Sequence, residues 1–181
     1  VRIVQSAAEQ SDLTVAIVGG SATGVELAAE LVQLAEAADL YGAVGMASRI
    51  KITLIESGTR LLAAFPENIS EAARMRLEAL GVVVRLGAQV SAAQEGGFCL
   101  QTGELLPAML KVWAAGVKAP EFLKTLDGLE AGKNNQLLVQ PSLQTTRDAC
   151  IFAVGDCVSL KLPGMERPLP PTAQVAHQHA Q

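Results

Sequence analysis

Aromatic side chains are scarce in this chain, at 3% of 181 residues, so its core cannot be built on stacked rings. Half of the residues are nevertheless hydrophobic. The interior must be filled by Ala, Val, Ile and Leu, which suits helices laid on a parallel sheet whose buried strands read as continuous apolar runs. Basic residues are also in short supply. Fourteen Lys and Arg against 18 Asp and Glu leave a formal charge of −4, with no dense basic cluster, so nucleic acid is excluded as a partner. The only cysteines are Cys99, Cys150 and Cys157, and no two of them are closely spaced. That argues against a disulfide framework or a zinc ribbon and predicts buried thiols in a reducing, cytoplasmic compartment. No apolar run reaches the ~18 residues of a membrane span, and no signal peptide opens the chain.

What is present begins at Val15-Ala16-Ile17-Val18, an apolar strand that runs into Gly19-Gly20-Ser21-Ala22-Thr23-Gly24 and then into Val25-Glu26-Leu27-Ala28, the opening of a helix. A glycine turn between strand and helix leaves the first-turn N–H groups and the positive end of the helix dipole facing an anion, and a dinucleotide pyrophosphate is the natural ligand. The pattern departs from G-x-G-x-x-G at its middle position, where Ser21 stands. Ser21 either donates its hydroxyl to the phosphate or crowds it with its Cβ. Lys51-Ile52-Thr53-Leu54-Ile55-Glu56 reads as the next parallel strand, with Glu56 where a carboxylate accepts ribose hydroxyls and repels a 2′-phosphate, so NADH is preferred to NADPH. Glu56 lies 37 residues after Gly19 rather than about 20, which requires a longer first helix or a loop inserted through Asp39–Gly45.

The remaining chain reads as a helix over 66–80 that starts at Pro66 and stops at Gly81. A buried strand over 82–86, short antiparallel strands over 89–94 and 97–101, and a buried strand over 108–116 come next. Two more strands are expected at 137–139 and 150–154, and a final helix from Pro171. The fold class is therefore α/β: a Rossmann-like three-layer dinucleotide-binding domain with a parallel sheet and an antiparallel β-meander. The expected organisation is a lead-in over 1–13, the dinucleotide domain over 14–147, and a fragment of a second domain over 148–181.

Taken in order, the glycine turn, the acid-ended strand, the meander, Trp113-Ala114-Ala115-Gly116, Gly155-Asp156 and Pro171-Thr172-Ala173-Gln174 resemble the flavoproteins with two dinucleotide domains. Within that group, Gly19–Ala28, Arg60–Glu67 and Pro171–Gln178 most resemble bacterial type II NADH dehydrogenase, a single-chain NADH:quinone oxidoreductase carrying FAD. The resemblance implies that Gly19, Gly20, Ser21, Ala22, Thr23 and Gly24 cradle the NADH pyrophosphate, that Glu56 takes the adenosine ribose, and that Ala115 and Gly116 border the nicotinamide half. It gives Glu26 a role beside the nicotinamide and Asp156 a contact to the flavin's ribitol-phosphate arm. Ala173, Gln174 and Gln178 then lie beside the flavin ring and quinone.

Each assignment has a plainer counterpart. Glu26 can be a solvated first-turn acid, Asp156 an ordinary turn residue, and Gln174 and Gln178 an exposed polar stripe. His177 and His179 are expected at the surface, Trp113 in packing, and Cys157 as a buried thiol. The family's N-terminal FAD fingerprint and its membrane-surface attachment have no counterpart in these residues. The expectation is therefore NADH binding without turnover, FAD held only in the full-length protein, and an unpartnered apolar face from about Asp148 onward that invites homodimers. Two alternatives remain open: the NADH domain of a ferredoxin, nitrite or disulfide reductase, and a non-catalytic nucleotide-binding module.

Overall fold

A computed structural model describes residues 12–181, so most of the lead-in expected over 1–13 lies outside the described residues. The chain divides into two compact units, one ending at Ala115 and the other spanning Gly116–Gln181. The break falls ahead of the 147/148 boundary expected from sequence. Ala119, Leu123, Leu137 and Val139 share a core cluster with Ala153, Val158 and Leu160, which binds 117–147 to the C-terminal segment.

In the first unit, strands β1 (Leu13–Val18), β2 (Ile50–Ile55), β3 (Val83–Arg85) and β7 (Leu110–Trp113) form a parallel sheet in the order β3-β2-β1-β7. The register pairs Val15 with Ile52 and Leu110, and Val18 with Ile55 and Trp113. Successive residues of β1 point to opposite faces of the sheet, and both faces are covered. Val15 and Ile17 pack with Ile52, Leu54, Ala28 and Leu77 beneath helices α1 (Ala22–Leu40) and α3 (Glu67–Ala79). Ala16 and Val18 pack with Phe98, Leu100 and Leu106 of an antiparallel sheet made by β4 (Val90–Gln94), β5 (Gly97–Leu100) and β6 (Leu105–Pro107). The three layers are thus helices, parallel sheet and meander.

The long Gly19-to-Glu56 spacing is taken up in both ways anticipated. Helix α1 runs 19 residues, and a turn with Gly42 and Gly45 at positive φ leads into the single turn α2 (Met46–Arg49). Asp39 fixes that turn by accepting the Met46 N–H at 2.6 Å and the Ala47 N–H at 3.4 Å.

Two strands expected to be buried lie at the sheet's edges. Val83 of β3 is 54% exposed and Trp113 of β7 is 59% exposed, because the sheet order leaves each with one neighbouring strand. Trp113 does pack, edge-on to Phe98 with ring centroids 6.1 Å apart, and its Nε1–H donates to the Ala115 carbonyl at 2.8 Å.

The second unit pairs β8 (Leu137–Val139) with β9 (Val158–Leu160) in parallel and ends in α4 (Ala173–His179), capped by Thr172, whose hydroxyl accepts the Val175 N–H. The strand expected over 150–154 does not form. Phe152 makes one isolated bridge to Gln144 and is 60% exposed, since this apolar run finds no ladder among the described residues. The thiols also differ from expectation: Cys150 is exposed, and Cys99 and Cys157 are half-buried. Cys157 donates to the Val154 carbonyl at 3.2 Å. No described helix is long and apolar enough to cross a membrane.

Leu54 is fully buried at the helix-facing side of β2. Leu54→Ala is expected to lower the unfolding free energy by about 3 kcal/mol in urea denaturation, whereas Val83→Ala at the edge costs under about 1 kcal/mol.

Candidate functional site

The glycine turn is built by close approach. A Cβ on Gly24 would run into the Gly19 carbonyl oxygen, and one on Gly19, which sits at φ +120°, would come within 2.8 Å of the Ala114–Ala115 backbone. The absence of both side chains lets α1 start directly over the carboxyl end of β1. The Gly19 N–H donates to the Ile55 carbonyl at 2.8 Å, and the Ala114 N–H donates to the Val18 carbonyl at 2.8 Å, so the turn sits between the ends of β2 and β7.

The first bond at the helix opening runs from Val25 N–H to the Ser21 carbonyl at 3.0 Å. The N–H groups of Ala22, Thr23 and Gly24 lie ahead of it, where a helix has no carbonyl of its own to offer. With the dipole's positive end, they form a seat for an anion. Ser21 carries no strain: φ −75° and ψ 177° are ordinary extended backbone. Its side chain is exposed and makes no capping bond, which leaves the hydroxyl free for a ligand.

Glu56 follows directly on Ile55, the last residue of β2, and is half-buried. Its Oε2 accepts the Gly20 N–H at 2.6 Å, and its Oε1 accepts the Gly58 N–H at 2.6 Å and the Ser57 hydroxyl at 3.1 Å. The segment after it folds back over the turn, with Leu62 N–H donating to the Gly20 carbonyl at 2.7 Å. Arg60 holds this loop from its other side, donating to the carbonyls of Ala63 and Phe65 at 2.8 Å and to the Ser70 hydroxyl at 2.6 Å. Between loop and turn lies a cavity of about 210 Å³, lined by Gly20, Ser21, Ala22, Glu56, Arg60 and residues 62–65.

The first unit thus brings together Gly19, Gly20, Ser21, Ala22, Thr23, Gly24 and Glu56, with Ala115 behind Gly19. Glu26 is exposed on α1, just past the helix opening. Gly116, at φ +73°, opens the second unit, which also holds Asp156, Ala173, Gln174 and Gln178. Asp156 is exposed in a single turn of 3-10 helix, Gly155–Cys157. That turn is tied to α4: the Gly155 N–H donates to His179 Nδ1 at 3.3 Å, and a Cβ at Gly155 would meet Ala176 at 4.0 Å. Ala173, Gln174 and Gln178 are exposed on α4.

His179 therefore departs from the expected surface position. It is half-buried, and its Nε2 is enclosed with no hydrogen-bond partner in the structure. Sequence reasoning missed it because i, i+2 histidines on a helix carry no signal beyond facing different sides. It also missed the pinning done by Gly58 and Arg60. A glycine two residues after the strand-end acid was the available clue.

Known proteins resemble this chain in sequence and fold. The chain is 44% identical over 177 residues to a type II NADH:quinone oxidoreductase of Haemophilus influenzae and 32% identical over 177 residues to one of Staphylococcus saprophyticus. Those alignments cover 97% and 96% of this chain but 40% and 43% of the relatives, so the chain spans about two fifths of their length. Among solved structures, NDH2 of Plasmodium falciparum in complex with NADH superposes with a TM-score of 0.70 at 29% identity, over 81% of this chain and 32% of that one. A ferredoxin reductase from Rhodopseudomonas palustris superposes at 0.71 over 93% of this chain and 39% of that one, with 23% identity, a likeness of fold alone. The model of the pyridine nucleotide-disulphide oxidoreductase family matches residues 3–180, and the chain belongs to that family.

Proposed function

We propose that this chain is the NADH-binding portion of a FAD-dependent oxidoreductase that passes hydride from NADH to flavin and electrons on to a quinone at the cytoplasmic face of a membrane. The observation that carries the reading is the anion seat at Ala22–Gly24 joined to the carboxylate of Glu56 through Gly20. The 44% identity to a type II NADH:quinone oxidoreductase supports the electron acceptor.

In this reading the N–H groups of Ala22, Thr23 and Gly24 receive the pyrophosphate, and Gly19, Gly20 and Ser21 form the turn against which it lies. Glu56 accepts from the adenosine ribose and repels a 2′-phosphate. Ala115 and Gly116 leave room for the nicotinamide half, and Glu26 orients its amide or relays a proton. Asp156 exposes a carboxylate, and Gln174 and Gln178 expose amides on the helix tied to its turn, a donor and acceptor set that fits a hydroxyl-rich arm and the polar edge of a flavin ring. In the full-length protein Asp156 and Ala173 would contact FAD, which supplies the hydride acceptor when bound, and Gln174 and Gln178 would lie beside its ring and the quinone. The protein's own part is to bind and orient.

Calorimetry on the protein is expected to show NADH binding more tightly than NADPH, and equal affinities would refute the role of Glu56. Ser21→Gly is expected to weaken NADH about tenfold, the worth of one hydrogen bond to a charged group. Tighter binding would instead show that the side chain crowds the pyrophosphate.

A further inference from the structure

The contacts of Glu56 go beyond a ribose acceptor. A carboxylate offers about four acceptor positions. Three are already engaged within the protein: Gly20 on Oε2, and Gly58 and Ser57 on Oε1. The two glycines are shaped to this side chain. A Cβ at Gly20 would come within 2.7 Å of Leu61 Cδ2 and 2.9 Å of Glu56 Cγ and Oε2, and one at Gly58 within 3.1 Å of Oε1. A side chain at either glycine would crowd the carboxylate where it now lies.

The loop it holds needs holding. Leu62 sits at φ +50°, a left-handed conformation unfavourable for a branched side chain, and its N–H bonds the Gly20 carbonyl. Gly20 is thus gripped on both polar groups, its N–H by Glu56 and its carbonyl by Leu62.

We propose that Glu56 is a positioning residue that locks the glycine turn to the 57–65 loop, so that one side chain sets the shape of the pyrophosphate seat as well as the choice between cofactors. Only Oε2 keeps an unused position, so a single ribose hydroxyl binds there unless the Ser57 hydroxyl rotates away. The proposal rests on the reading of the turn as the NADH site. Its consequence is that discrimination against a 2′-phosphate cannot be removed at residue 56 without loosening the turn.

Amide hydrogen exchange followed by NMR in the absence of ligand tests the lock. Gly20 and Gly58 are expected to exchange about tenfold or more faster in Glu56→Ala than in the wild type, each having lost a charge-assisted bond, while the β1–β2 ladder exchanges as before. Unchanged exchange at both glycines would overturn the proposal. Should Glu56→Ala unfold, Glu56→Gln keeps one acceptor oxygen, and faster exchange at one of the two glycines is then expected. Binding supplies the second arm, with NADH and its analogue lacking both adenosine-ribose hydroxyls. If Glu56 acted through the ribose alone, variant and wild type would bind the analogue equally, and the proposal would fail. A loss of about fivefold or more on the analogue supports it, that loss being carried by the turn and not by the ribose. A wild type that binds neither compound would sink the NADH reading while leaving the exchange result to decide the lock.

Discussion

There is no room for a side chain where α1 leaves β1, and the first unit's candidate site depends on that. Because Gly24 lacks a Cβ, the Gly19 carbonyl can tuck against the first turn of the helix. Because Gly19 takes a positive φ, the chain can reverse within two residues of the strand. The result is a helix N-terminus held at a sheet's carboxyl edge, where its unpaired N–H groups point outward. An adaptable loop could present the same donors, but it would have to be ordered on binding, at about 1–2 kcal/mol for each residue fixed. Here the order is already present in the folded chain.

That rigidity is backed by the sheet. Strand β1 is covered on both faces, by helices on one side and the meander on the other, and its partners in register are β2 and β7. A strand so placed cannot shift by one residue without exchanging Val15 and Ile17 for Ala16 and Val18 against the wrong layer. The position of the glycine turn is therefore fixed by apolar packing several residues before it. Polar contacts then refine it, through Glu56 on one side and the returning Leu62 on the other.

The parts legible in sequence were those governed by local rules. Val15–Val18, the glycine turn, the helix between Pro66 and Gly81, and the meander each carry a period or a turn residue that states its own conformation. What sequence left hidden depends on distant partners. Val82–Leu86 and Ala108–Gly116 read as buried because they are apolar, but apolarity does not say which strand ends up at an edge. Cys150–Val154 has the composition of a strand and lacks a ladder among the described residues, whereas Val158–Leu160, which does pair, carries no comparable signal. The strand-end position of Glu56 was readable, but its bond to Gly20, 36 residues away, was not.

The chemistry of the first unit is one of holding. Its site offers backbone donors, one carboxylate already engaged by three neighbours, and a guanidinium spent on its own loop. None of these is an activated nucleophile, and all are fixed before a ligand arrives. Such a site favours an elongated ligand that carries its reactive end elsewhere, with the anchored portion lending binding energy to orient the rest. A dinucleotide fits that division: its adenosine and pyrophosphate are inert handles and its nicotinamide does the chemistry. An inert handle held at one end of such a ligand lends its binding energy to placing the reactive ring at the other.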